Sequence, residues 1–149
     1  YGIAAHYLVG PVVPYPIIWI FDIDANRISE PARELSDKAT SPIGIIAIIL
    51  TVGLLAPFAE ELFFRGLLYG SIRKKGDSAG NQKLIVWTSA IISSAIFSAI
   101  HFQLLLFPAL FVVGMIFALI YERSGRLAPA IWAHVGFNAT TLFSLLVLD

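Results

Sequence analysis

The chain has 149 residues, of which 58% are hydrophobic and only 13% charged. A soluble domain carries about 25% charged residues, and a chain this short has too little interior to hide so much apolar surface. Lys plus Arg balances Asp plus Glu at 10 each, and Cys is absent, which argues against nucleic-acid binding, disorder, disulfides, thiolate nucleophiles and Cys-ligated zinc.

The length fits one membrane-embedded domain, 1–149. The chain begins at Tyr1 rather than Met, so a trimmed N-terminus is expected. Tyr1 to Phe21 is apolar but broken by Pro11, Pro14 and Pro16. It reads as a remnant of one membrane helix, a break and a short interfacial piece, with Tyr15 and Trp19 suited to the membrane boundary. Asp22 to Pro42 turns polar, and Ser29 before Glu30 and Pro31 is a helix-start pattern.

Ile43 to Ser71 reads as the first long helix. Its first half is aliphatic, Pro57 breaks the backbone ladder, and Glu60, Glu61 and Arg65 follow among Leu, Phe and Tyr. The proline is expected to open a new half-helix with both glutamates in its first turn, where the helix dipole favours negative charge. After the polar stretch Ile72 to Lys83, no charged residue occurs until Glu122. Those 38 or so residues make two spans of about 19, against a requirement of about 20 each, so the turn near Gln103 to Pro108 sits at the membrane boundary beside His101. Glu122 to Arg126 is a short polar loop, and Leu127 to Leu148 is the last span. The fold class is therefore all-α: a polytopic transmembrane helix bundle with about four spanning helices plus the N-terminal remnant. Basic residues in the loops holding Arg73 and Arg123 place both on the cytoplasmic side. The protein is expected to be an integral, multi-pass membrane protein with membrane lipids as its surroundings.

The polar residues inside these helices carry the functional information. A charge at bilayer depth costs at least about 2.5–3.5 kcal/mol on insertion scales. Glu61 and Arg65 are spaced i,i+4 with the acid first, so they can pair, whereas Glu60 points about 100° away and keeps its carboxylate for other work. His101 stands on the next helix, and His134 and Asn138 share a face of the last. Apolar bundles turn such stripes inward. Hydrolysis of an amide needs a base for the water and donors for the developing oxyanion; a carboxylate with imidazoles and a carboxamide supplies both. Glu60, His101 and His134 could also form a His₂Glu zinc set, although no H-E-x-x-H motif is present. Measured along ideal helices from their cytoplasmic ends, Glu60 lies about 18 Å deep, His134 about 10 Å and His101 about 25 Å, so tilt or a dipping loop is needed to join them.

The segment Glu60-Glu61-Leu62-Phe63-Phe64-Arg65 resembles the E-E-x-x-x-R signature of the CAAX protease and bacteriocin-processing (Abi) family. Phe97 to His101 resembles its F-x-x-x-H motif, and His134 to Asn138 its H-x-x-x-N motif. The three occur in the family's order, and the resemblance covers a catalytic core at about 43–148. It implies an intramembrane glutamate-type endopeptidase acting on a membrane-associated or prenylated, CAAX-like peptide or protein. It implies that Glu60 activates water with help from His101, that Glu61 and Arg65 hold the site, that His134 and Asn138 stabilise the oxyanion, and that no cofactor is needed, zinc being the minority alternative.

Plainer readings stand beside these. Glu61 and Arg65 could be a structural pair, His101 a helix cap, and His134 with Asn138 an interhelical clamp. The chain could be a non-proteolytic immunity or scaffold protein of the same family, or a transporter using Glu60. Gly66 to Gly70 (G-x-x-x-G) and the Ser94/Ser98 spacing read as helix-packing faces, and the Asn138-Ala139-Thr140 sequon falls within a span. Ser98 near His101 lacks a nucleophile elbow, and no Asp lies within a span.

Overall fold

The computed structural model describes residues 2–22, 24, 27, 30, 33, 34, 41–76 and 81–148. Among them every regular element is a helix. The remnant forms α1 (Gly2–Val12) and α2 (Pro14–Phe21), divided at Val13 with Pro14 in the first turn of α2, where its missing N–H has no helical partner to lose. Helix α1 does not stand apart. Val9 joins Val113, Phe117 and Ala133 in a buried cluster, and the start of α1 lies against the last span so closely that a Cβ on Gly2 would overlap the Ala133 carbonyl. The helix start expected at Ser29 and Pro31 falls outside the described residues.

Among the described residues four helices are long and apolar enough to span: α3 (Pro42–Gly76), α4 (Gln82–Ala99), α5 (Phe107–Ser124) and α6 (Leu127–Val147). Ser41 caps α3 by accepting from the Gly44 N–H, and Asn81 caps α4 by accepting from Leu84. Helix α5 ends at Gly125, whose φ of 64° lies in the left-handed region open to glycine, and the loop to α6 shrinks to Gly125 and Arg126. The turn at residues 100–106 joins α4 to α5 and is tied by Ser98, whose hydroxyl donates to the Phe107 carbonyl at 2.6 Å.

Helix α3 departs from the expected break. Pro57 does not open a new half-helix; the helix runs through it without a free N-terminus. Residues Thr51–Leu55 form a π-helical turn, in which the Ala56 N–H bonds the Thr51 carbonyl five residues back. The wider turn relieves the clash of the proline ring with the preceding turn. A second π stretch, Leu62–Tyr69, carries Arg65. At 35 residues α3 is about 50 Å long, against a hydrocarbon core of about 30 Å. It overshoots neighbours of 18 to 21 residues, so depths counted from its end share no plane with theirs. Its apolar side chains, Ile43, Ile46, Leu55 and Phe58 among them, are largely exposed on the outer surface, as a lipid-facing helix requires.

Near the ends of α3 and α5, the Tyr69 hydroxyl donates to Glu122 Oε2 at 2.6 Å, and Arg73 approaches Glu122 Oε1 at 3.5 Å. These contacts fix the register of the two helices.

Candidate active site

Arg65 organises the interior. Its side chain and that of Glu61 are both 0% exposed, and Nη1 donates to Glu61 Oε1 at 2.7 Å, the i,i+4 pair that the spacing implies. Its Nη2 crosses to α5 and donates to the Gly114 carbonyl at 3.0 Å. Three aromatic rings enclose the guanidinium: Phe97 at 4.9 Å, Phe117 at 5.3 Å and Phe64 at 5.9 Å. A desolvated arginine over such faces gains cation–π attraction in addition to its ion pair. Gly114 also sits in a close contact between α4 and α5. A Cβ there would stand 3.0 Å from Ser94 Cβ and 3.2 Å from Phe97 Cδ1. Gly114→Ala is expected to cost about 1–3 kcal/mol by overpacking the α4–α5 contact, read as a lowered melting temperature in detergent.

Glu61 Oε1 also accepts from His134 on α6, at 2.8 Å from Nδ1. Since an ionised carboxylate only accepts, the Nδ1 that faces it carries a proton, and in the neutral form of the ring Nε2 keeps a lone pair. That Nε2 lies 3.8 Å from Glu60 Oε2. Phe117 stacks on the imidazole at 4.7 Å. The Glu60 side chain is 26% exposed, but its Oε2, the oxygen facing His134, is buried without a hydrogen-bond partner, so the row Arg65–Glu61–His134–Glu60 leads from a dry interior to a partly exposed carboxylate.

His101 lies just beyond the end of α4, where its backbone N–H still bonds the Ser98 carbonyl. Its Nδ1 is 2.7 Å from the Phe97 carbonyl, which as an acceptor sets the same tautomer, with Nε2 left as the outer nitrogen. Both imidazoles contact the Phe97 ring, His101 at 4.8 Å and His134 at 5.7 Å between centroids. Asn138 turns towards α3, its Nδ2 donating to the Val52 carbonyl at 2.8 Å. The donors of the zinc alternative are not gathered: among the described residues no three His, Cys, Asp or Glu side chains stand together as a metal set.

Several contributors were not legible in the chain. The Gly114 carbonyl, the Phe117 ring and the Val52 carbonyl carry no motif signature, being backbone or common core groups. Ser93 donates to the Phe64 carbonyl at 2.8 Å, a tie whose only trace in the sequence is its place in the run of small residues on α4.

Four apolar helices with buried ionisable groups turned inward make this an integral, multi-pass membrane protein. A family model described as type II CAAX prenyl endopeptidase Rce1-like matches residues 42–140. The chain belongs to that family. It is 36% identical over 101 residues to an uncharacterised 24.3 kDa protein of Escherichia coli, with 66% of this chain and 43% of that protein aligned. It is 28% identical over 123 residues to YdiL of Bacillus subtilis strain 168, named as a candidate membrane peptidase (80% and 44% aligned). It is 31% identical over 99 residues to the membrane-embedded CAAX protease MroQ of Staphylococcus aureus USA300 (66% and 39% aligned). The chain spans less than half the length of each of these relatives. No solved structure matches it.

Proposed function

We propose that this chain is the catalytic core, at about 43–148, of an intramembrane endopeptidase that hydrolyses a peptide bond of a membrane-associated or lipidated, CAAX-like protein. The observation that carries the reading is the 3.8 Å separation of Glu60 Oε2 from His134 Nε2. It exceeds a direct hydrogen bond of about 2.7–3.2 Å, and one water can bond to both atoms. Glu60 then takes a proton from that water as its oxygen attacks the scissile carbonyl, while the His134 lone pair accepts the water's other hydrogen and holds it in line. The C–N bond breaks as Glu60 returns the proton to the leaving nitrogen. His101 packs on the same Phe97 ring as His134, and its outer nitrogen is the further acceptor of this reading.

The supporting argument for His134 is tautomeric. With Nδ1–H spent on Glu61, the neutral ring cannot also donate from Nε2, so in the resting state it suits the water better than the oxyanion. Oxyanion stabilisation falls to Asn138, whose amide has a second N–H beyond the one on Val52. Glu61 and Arg65 hold His134 in place rather than touching substrate. The scaffold alternative accounts for Glu61, Arg65 and His134 but leaves Glu60 without a purpose beside that imidazole.

The test is a comparison of membrane-protein termini from cells with and without the active protein. New C-termini on lipid-linked or membrane-anchored substrates are expected only with it, and the cleavage is expected to persist in a chelator. Identical termini in both samples would remove the protease reading, and loss of cleavage on chelation that zinc restores would replace it with the metal-dependent one.

A further inference from the structure

In the π turn the Ala56 N–H bonds Thr51. The next donor in that register, residue 57, would bond Val52, but it is a proline and has no N–H. The Val52 carbonyl is thus left without a backbone donor inside a span, where water cannot substitute cheaply. Asn138 Nδ2 donates to it at 2.8 Å across the α3–α6 interface. A carbonyl cannot donate, so this contact also decides which way the carboxamide faces.

We infer that Pro57 is a positioning residue: by withholding its N–H it keeps the Val52 carbonyl open for Asn138 and so fixes the direction of that side chain's second N–H. The role in turnover rests on the endopeptidase reading above; the anchoring itself does not. Restoring a donor at position 57 gives Val52 a backbone partner in either register, from residue 57 if the π turn persists or from Ala56 if it tightens to an α turn. Asn138 then loses exclusive hold of the carbonyl and can turn. A donor displaced by about 1 Å can cost about 10²-fold in rate, so Pro57→Ala should lower kcat by up to that factor while KM stays within about twofold.

The experiment is a cycle of Pro57→Ala, Asn138→Ala and the double variant in the full chain, reconstituted in liposomes, read by melting temperature and by cleavage of a prenylated peptide. In the wild-type background Asn138→Ala orphans Val52 and should lower the melting temperature. In the Pro57→Ala background the same change should lower it by less than half as much, since the backbone now serves that carbonyl. Pro57→Ala alone should retain wild-type stability or exceed it while losing kcat, which a merely structural proline would not do. Equal destabilisation in both backgrounds overturns the anchoring. Coupled stabilities with an unchanged kcat overturn the positioning role. If the wild type cleaves nothing, the endopeptidase reading fails and the stability cycle alone decides the anchoring.

Discussion

Arg65→Ala should leave little folded protein. The substitution strips a fully buried carboxylate of its counter-charge, since Glu61 is 0% exposed and Oε1 faces Nη1 at 2.7 Å. It also orphans the Gly114 carbonyl and empties the space between Phe97 and Phe117. Breaking a buried pair from one side costs about 3–5 kcal/mol, a large part of a small protein's stability. Arg65→Lys keeps the charge but cannot reach Glu61 and Gly114 with one planar fork, so an intermediate loss is expected. Extraction yield and melting temperature in one detergent separate the three forms. Wild-type stability in the Ala form would mean that the pair is not what holds α3 to α5.

Glu60→Gln should do the reverse: a stable protein with its proposed chemistry gone. Glu60 is a quarter exposed, and its Oε2 lies 3.8 Å from the outer nitrogen of His134. The amide has nearly the same volume and can still hydrogen-bond, and position 60 is the partly exposed end of the row, so stability should change by no more than about 0.5 kcal/mol. The amide cannot take a proton from water. Removing a general base costs about 10²–10⁴-fold, and that loss is expected in kcat for a prenylated peptide, with little change in KM. The contrast between the two substitutions separates the group that holds the site from the group proposed to work in it, although Glu60 and Glu61 are adjacent in the chain.

That adjacency explains why much was readable in the sequence. Neighbouring helix positions diverge by about 100°, so Glu61 could pair with Arg65 only by turning away from Glu60, and the structure has that division. The spans were readable because hydropathy and the long uncharged run between Lys83 and Glu122 admit only helices of near-minimal length in a membrane. The site's cross-links were less legible. The bond from Asn138 to the Val52 carbonyl has no trace in the sequence, because a π turn combined with a proline creates an acceptor that no residue type announces. The spacing puts His134 and Asn138 on one face of the last helix, yet it does not show that the His134 ring is set by Glu61, 73 positions away in the chain. Which nitrogen faces which carboxylate is a property of α3 and α6 packed together, and local periodicity carries no information about it. Likewise, the expected depths disagreed because α3, at 35 residues, extends well past its neighbours.

The proposed hydrolysis rests on Glu60 and His134 sharing a single water. The most direct measurement is the single-turnover rate of prenylated-peptide cleavage for Glu60→Gln, His134→Gln and the two combined, on folded, liposome-reconstituted protein. Two groups that act on one water fail together, so the combined variant should be about as slow as the slower single one. Losses that multiply, or a Glu60→Gln form that cleaves at the wild-type rate, would show that the carboxylate and the imidazole do not serve one reacting molecule.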